Sequence, residues 1–367
     1  MKIKLIDKPA EEYRFADEIK SIIGAVIDRG NYILGPEVSN FEIAVQSYLD
    51  AKYPIGVSSG TDGLLMALMA IGVGPGDEVI VPDFSFIATA NVVSRLGATP
   101  VFCDISRGYL TMDIRCLQDL ITEKTKAIIP VHLFGYPCDM DAIMEMAGDA
   151  YVIEDACQAF GTKLNDVSVG TIGDMGVFSF FPTKNLSGMG DGGMVVTGDG
   201  NIADKLFRLR KHGVESGILY PTIGGNFRLD TLQAAILSHK LNFLGEQLSV
   251  RQRNADIYEK ELGHWLDGVH LPISHKGRTW NQYTITVMGG KRDELQGHLK
   301  EKGIETKIYY PYSLSVQDCF GGEIMPVGFN PNAVEASTEV LSLPIAPHLS
   351  SEDIQYVSSA IKDWGRA

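Results

Sequence analysis

The chain lacks the marks of several large protein classes. No Cys-x-x-Cys pair occurs, and the five cysteines (Cys103, Cys116, Cys138, Cys157 and Cys319) are scattered and odd in number. That pattern argues against a disulfide framework and against a zinc site, and it fits free thiols in a reducing compartment. No long apolar run stands behind the opening M-K-I-K-L-I-D-K, so neither a secretory signal nor a membrane span is expected. No basic block interrupts a net charge of -14, which argues against binding a nucleic-acid backbone. An anionic small substrate stays compatible, because a local basic pocket can sit inside an acidic protein. No G-x-G-x-x-G follows a first strand, which disfavours a Rossmann-type dehydrogenase. Internal repeats and low-complexity tracts are absent too. A cytoplasmic enzyme is the simplest expectation.

What is present is an ordinary balance, 45 % apolar and 21 % charged over 367 residues, enough for two lobes. Helical spacing runs over 11–29, ended by Gly30 and Asn31, and again over 38–48. Short apolar strands are expected at 54–57, 78–82, 99–104, 127–131, 151–155 and 177–181. Helical stretches separate them, among them 117–121 and 139–147, with another at 201–212. Such alternation implies an α/β fold with a largely parallel sheet and helices on both faces. A long helical pattern over 248–262 leads to a strand at 282–287 and a helix at 292–302. The boundary is placed near residue 245. Residues 1–245 form a large α/β domain with an N-terminal helical segment, and 246–367 form a small C-terminal α+β domain.

The chemistry concentrates between Tyr151 and Thr197. An apolar strand ends in Glu154 and Asp155, and Gln158 follows three residues later. A second strand leads to Lys184, with Gly188, Gly190, Gly192 and Gly193 close behind. A lysine in a compact turn after a buried strand suits a cleft better than solvent. Pyridoxal 5'-phosphate chemistry wants this set. A lysine amine condenses with the cofactor aldehyde, and a carboxylate faces the pyridine nitrogen to keep it protonated. Asp155 is the candidate carboxylate, and Gln158 is placed to donate to the ring oxygen. A helix-capping Asp155 and a loop Lys184 are the plain structural alternative.

Ser58 to Gly63, S-S-G-T-D-G, feeds a helix start. That is a ready anion site with a hydroxyl from Thr61, or else an N-cap with nothing bound. Ser179 is a further phosphate hydroxyl. Phe86 and Phe84 compete as a ring to stack on a flat cofactor. Ser58 to Gly63, Phe86, His132, Asp155 and Ser179 to Lys184 all fall at strand carboxyl ends, where ligands of such folds sit. The basic run ending at His212, the segment with Asn226 and Arg228, and the pair Tyr309 and Tyr310 complete the candidates.

With these residues in hand, the chain resembles the sugar aminotransferases of the DegT/DnrJ/EryC1/StrS family. The resemblance rests on Y-I-L-G-P-E-V, S-G-T-D-G-L, G-P-G-D-E-V-I-V-P, I-E-D-A-C-Q-A-F-G, S-F-F-P-T-K-N-L-S-G-M-G-D-G-G, N-F-R-L-D-T-L-Q-A-A and L-S-L-P-I-A-P, in family order over nearly the whole chain. It implies an aspartate-aminotransferase-like fold type I with a seven-stranded-type sheet. It also implies pyridoxal 5'-phosphate, with pyridoxamine 5'-phosphate during turnover. Lys184 matches the Schiff-base lysine, Asp155 the pyridine partner, and Gln158 the contact to the ring oxygen. Phe86 matches the stacking aromatic. Gly60, Thr61 and Ser179 match phosphate contacts, and Asn226 matches one donated by a neighbouring subunit in a homodimer. His212 and Arg228 are further substrate-side candidates from the same interface region, and the paired Tyr309 and Tyr310 read as lining a sugar or ring pocket or else as core. The implied reaction moves an amino group from L-glutamate onto a nucleotide-linked keto-sugar, with a 3-keto sugar favoured over a 4-keto sugar or a cyclitol. A sugar dehydratase is the alternative, but dehydratases of the family carry histidine where this chain has Lys184. One departure stands out: Ser313 and Ser315 occupy positions where relatives carry proline and a substrate-side histidine.

Overall fold

The computed structural model describes residues 3–215, 217–263, 268–320 and 330–366. Seven short strands build the main sheet: β1 (Tyr53–Val57), β2 (Glu78–Pro82), β3 (Thr99–Cys103), β4 (Thr125–Ile128), β5 (Tyr151–Asp155), β6 (Met175–Ser179) and β7 (Gly193–Thr197). Their order is β1-β7-β6-β5-β4-β2-β3. Only β7 runs against its neighbours, pairing Gly193 with Val57 on one side and with Ser179 on the other. Every residue of β6 and β7 is buried. Strands covered on both faces carry no polar alternation, which is why they read as continuous apolar runs.

Helices cover both faces. On one lie α3 (Gly60–Ala70), α4 (Ala88–Arg95) and α7 (Gly200–Leu209), packed through Leu64, Leu68, Val92 and Leu206. The other cores hold α2 (Pro36–Leu49) and α8 (Thr231–Leu241), through Phe41, Val45 and Leu237, and then α5 (Ile114–Leu120) and α6 (Met140–Ala147). The helix α1 (Ala16–Arg29) ends at Gly30, whose φ of 68° lets its N–H reach back to the carbonyls of Val26 and Ile27.

A second core surrounds an antiparallel sheet of β8 (Val269–His270), β9 (Tyr283–Val287) and β10 (Val340–Leu343). Around it stand α9 (Leu244–Leu262), α10 (Arg292–Glu301), α11 (Pro331–Glu339) and α12 (Ser351–Gly365). The long α9 belongs to both lobes: Leu244 packs with the α2–α8 core, while Ala255, Tyr258 and Leu262 pack in the second. Ile3 joins that second core too, bridging to Ile304.

The elements depart from the sequence expectations in several places, the first being the expected helix over 11–29, which is continuous only from Ala16. β6 starts at Met175, two residues before the expected strand, because its pairing with β7 runs from Met175 opposite Thr197 to Ser179 opposite Gly193. Pairing in β4 stops at Ile128, and Val131 returns only as a single bridge to Asp155. α7 stops at Leu209, after which Lys211 and a left-handed His212 (φ 62°) form a turn closed by Gly213.

Candidate functional site

The carboxyl ends of β5 and β6 meet the first turn of α3. Asp155, the last residue of β5, is 5 % exposed. Its Oδ2 accepts from Thr89 Oγ1 at 2.9 Å and its Oδ1 from the Cys157 N–H at 3.2 Å. Thr89 Oγ1 also meets Ser85 Oγ at 3.0 Å. The carboxylate is therefore aimed before any ligand arrives. Sequence spacing gave no sign of Thr89, which sits 66 positions away in the chain.

Strand alternation sends the preceding residue, Glu154, to the other face of β5. It is fully buried and accepts from the N–H groups of Gly170, Ile172 and Gly173, each at 2.7 Å. His132 Nε2 completes the set at 2.9 Å. The Cys138 N–H points at His132 Nδ1 at 3.0 Å, so Nδ1 is the acceptor and the proton sits on Nε2. His132 and Glu154 thus brace loops and do not face the cleft.

Lys184 follows β6 and is partly exposed. Burial of its ammonium group pulls its pKa below the usual lysine range, against the opposing pull of the nearby Cys157 and Asp155. Burial pushes the Cys157 thiol well up, and the charge of Asp155 adds to that. The two effects favour a neutral amine beside a carboxylate. The loop after Lys184 is clamped from α8. Gln233 Oε1 accepts from the Met189 N–H at 2.8 Å, and Lys240 Nζ donates to the Ser187 carbonyl at 2.8 Å and to Glu12 Oε1 at 2.7 Å.

The anion end of the cleft is built by close packing. A Cβ at Gly60 would lie 2.7 Å from Cys157 Sγ and 2.9 Å from Ser179 Cβ. Only glycine lets the start of α3 sit this near β6. Ser59 caps the helix by accepting from the Asp62 N–H at 3.0 Å. The Gly60 and Thr61 N–H groups open the helix, with no carbonyl four residues back inside it. Ser179 is 8 % exposed beside them.

Gln158 bridges the lobes. Its Oε1 accepts from the Phe134 N–H at 3.0 Å and its Nε2 donates to Tyr310 Oη at 3.0 Å. The rings of Tyr310 and Phe86 lie 6.3 Å apart. Phe86 is 53 % exposed while Phe84 is 1 % exposed in the core, so the two phenylalanines part company. Tyr309 diverges from Tyr310 and lines a separate small pocket with Lys8, Thr183 and Arg251. Ser313 and Ser315 are buried. Ser315 binds Asp83 twice, through its N–H at 2.6 Å and its Oγ at 2.7 Å.

Asn226 and Arg228 are not joined to this group within one chain. They line a different cleft, with Ser58, Gly190, Asp191 and Gln233. His212 is exposed on the turn after α7, its N–H bound to the Gly225 carbonyl at 2.9 Å. Among the described residues no group of three or more His, Cys, Asp or Glu side chains could hold a metal ion. No helix among them is long and apolar enough to cross a membrane. The site is therefore a lysine within electrostatic reach of a carboxylate. An exposed aromatic and an amide flank them, and a helix start is open to an anion.

Comparison with known proteins bears on what fills it. The family model described as DegT/DnrJ/EryC1/StrS aminotransferase matches residues 14–362. A Geobacillus stearothermophilus protein named as a pleiotropic regulatory protein is 41 % identical over 100 % of this chain and 99 % of its own. A UDP-N-acetyl-3-dehydro-alpha-D-glucosamine 3-aminotransferase of Acidithiobacillus ferrooxidans is 41 % identical over 98 % of this chain and 97 % of its own. The crystal structure of S. venezuelae DesV in complex with a ketimine intermediate superposes with a TM-score of 0.96 at 38 % identity, covering 100 % of this chain and 99 % of that one.

Proposed function

The chain belongs to the DegT/DnrJ/EryC1/StrS aminotransferase family, and within it we propose that it moves the amino group of L-glutamate onto carbon 3 of a nucleotide-linked keto-sugar. It is an aminotransferase of fold type I that uses pyridoxal 5'-phosphate. The residues present fit that cofactor. Asp155 would hold the pyridine nitrogen and Gln158 the ring oxygen. Phe86 would cover the ring. Gly60, Thr61 and Ser179 would hold the phosphate, at an end of the cleft that a Cβ at Gly60 would crowd. When bound, the cofactor supplies an electron sink for the carbon that loses its proton.

The grouping of Lys184 with a pre-aimed Asp155 carries this reading. Lys184 Nζ would be the group that accepts and returns the proton of the donor's α carbon. Burial, which lowers its pKa, shifts it toward the free base this role needs. With the keto-sugar the same amine moves the proton back. Tyr310, bound to Gln158, stands on the sugar side. The 3-aminotransferase activity for which the Acidithiobacillus relative is named supports amination at carbon 3.

The acceptor site is completed by a second copy of the chain. Ile218 and Ile223 are 87 % and 85 % exposed on the segment that leads to Asn226. Docking that segment on a partner would bury them and carry Asn226, Arg228 and His212 to the partner's phosphate and sugar. Five unpaired cysteines suit a cytoplasmic setting.

The test is an absorbance spectrum of the holoenzyme before and after excess L-glutamate, followed by mass analysis with candidate keto-sugar nucleotides. The expected result is loss of a band near about 410–420 nm for one near about 325–330 nm, then a 3-amino product. A regulatory member of the fold would leave the spectrum untouched by glutamate, and a dehydratase would lose a hydroxyl without consuming it. A 4-amino product would overturn the position.

A further inference from the structure

A cavity of about 400 Å³ opens between the lobes, lined in part by Phe134, whose N–H is bound to Gln158. Its lining includes Arg107, Tyr109, Tyr136, Arg278, Thr284 and Thr286. The size falls within the range of small-ligand sites. Neither the proposed transfer nor the packing of the lobes uses it.

Arg278 is the unusual member. It is 7 % exposed, and its guanidinium lies 3.8 Å from the Trp280 ring centroid and 5.4 Å from that of Tyr136. Its Nη1 donates to the Ile273 carbonyl at 2.7 Å, but its buried Nε has no partner. Among the described residues no carboxylate pairs with it. Burial alone pulls its pKa down to about 9, and only the tyrosines Tyr283 and Tyr136 oppose that. A buried cation without a counter-charge is costly, and natural structures rarely leave one idle. Arg107 differs, since it pairs with Glu335 at 3.0 Å and Glu339 at 3.2 Å. The cavity therefore offers one unmatched positive charge, with two acidic groups nearby. That suits a single carboxylate, whose geometry matches a guanidinium fork, better than a phosphate dianion.

We propose that this inter-lobe cavity is a second binding site, distinct from the Lys184 cleft, which takes the carboxylate of a small organic acid on Arg278. Phe134 forms the wall shared with Gln158, so an occupant lies one residue from the cleft.

Succinate is the probe, because it carries carboxylates but neither the amino nor the keto group that transamination needs. The holoenzyme is titrated while tryptophan fluorescence is followed, since Trp280 stacks on Arg278. Saturable binding and a rise in melting temperature are expected. Arg278→Met should weaken binding about tenfold or more and erase the melting shift. Without succinate, the variant should melt no lower than the parent, because an unpaired buried charge has been removed. Tyr310→Phe, on the cleft side, should bind succinate as the parent does. Trp280→Phe should lose the fluorescence signal and keep the melting shift. Equal succinate affinity in Arg278→Met, or no saturable binding in the parent, overturns the site. Tighter binding of inorganic phosphate than of succinate overturns the carboxylate assignment.

Discussion

At the scale of single residues, the site depends on a few contacts of very different legibility. Gly60→Ala places a methyl group 2.7 Å from Cys157 Sγ. Overpacking of this kind costs about 1–3 kcal/mol, and here it also pushes the phosphate end of the cleft apart. Lower cofactor affinity in a pyridoxal phosphate titration, alongside a lower melting temperature, is the expected pair of results. Lys184→Ala should cut glutamate turnover about 10²–10⁴-fold, the usual worth of a positioned acid–base group. Folding should be unchanged, as judged by circular dichroism. Lys184, Asp155 and Gln158 were legible because they lie close together in sequence at strand ends. Thr89 was not, because only the fold carries it to Asp155. Ser315 was legible as a departure from relatives, but its bond to Asp83 was not.

Asp83 carries a pH prediction. Burial raises its carboxyl to about 6 from the ordinary 3.8, even though Ser315 and Asn330 donate to it and pull the other way. The folded protein thus holds this proton more tightly than the unfolded chain. Stability from that proton is full below about pH 4 and is lost as the pH rises through about 6. Urea unfolding between pH 4 and 7 should show this falling component in the parent and lose it in Asp83→Asn.

At the scale of elements, periodicity located the parallel strands and the long helices, since each presents an unbroken apolar face. It mislocated β6 because the strand's register is set by β7, and by Gly176 lying against Gly170, where a Cβ would meet a carbonyl oxygen at 2.0 Å. Such contacts leave no periodic trace. The helix α12 went unread although its capping box, Ser350 with Asp353, stands in the sequence. The clamp from α8 onto the Lys184 loop yields a further expectation. Lys240→Met leaves Glu12 without its partner in a nearly closed setting. The cost should be about 3 kcal/mol, as for other broken buried pairs. Chemical denaturation reads that loss. Turnover should fall with it because the Ser187 carbonyl is released. A variant with normal turnover would show that the clamp is structural only.

At the scale of the whole molecule, the C-terminal α+β pattern was legible as a second core, while the boundary expected near residue 245 falls at the start of α9, which packs in both cores. The attachment of the chain's first residues to the second core was not, because a single bridged residue has no period. The exposed segment before Asn226 gives the test of assembly. Ile218→Asp with Ile223→Asp should shift sedimentation from dimer to monomer and abolish amino transfer. Dimers that persist in the double variant would remove that segment from the interface. The start of the chain has one more effect on the lobes. Ile3 is bonded to the second lobe through the Gly303 carbonyl and the Glu305 N–H, both at 2.9 Å. The helical turn at Lys8–Glu12 is fastened to the Lys184 loop and α8. Only residues 4–7 span the interval, at most about 17 Å of extended chain. This leash limits how far the lobes can swing apart to admit a bulky sugar nucleotide, so entry must proceed by a narrow opening or by letting go of Ile3.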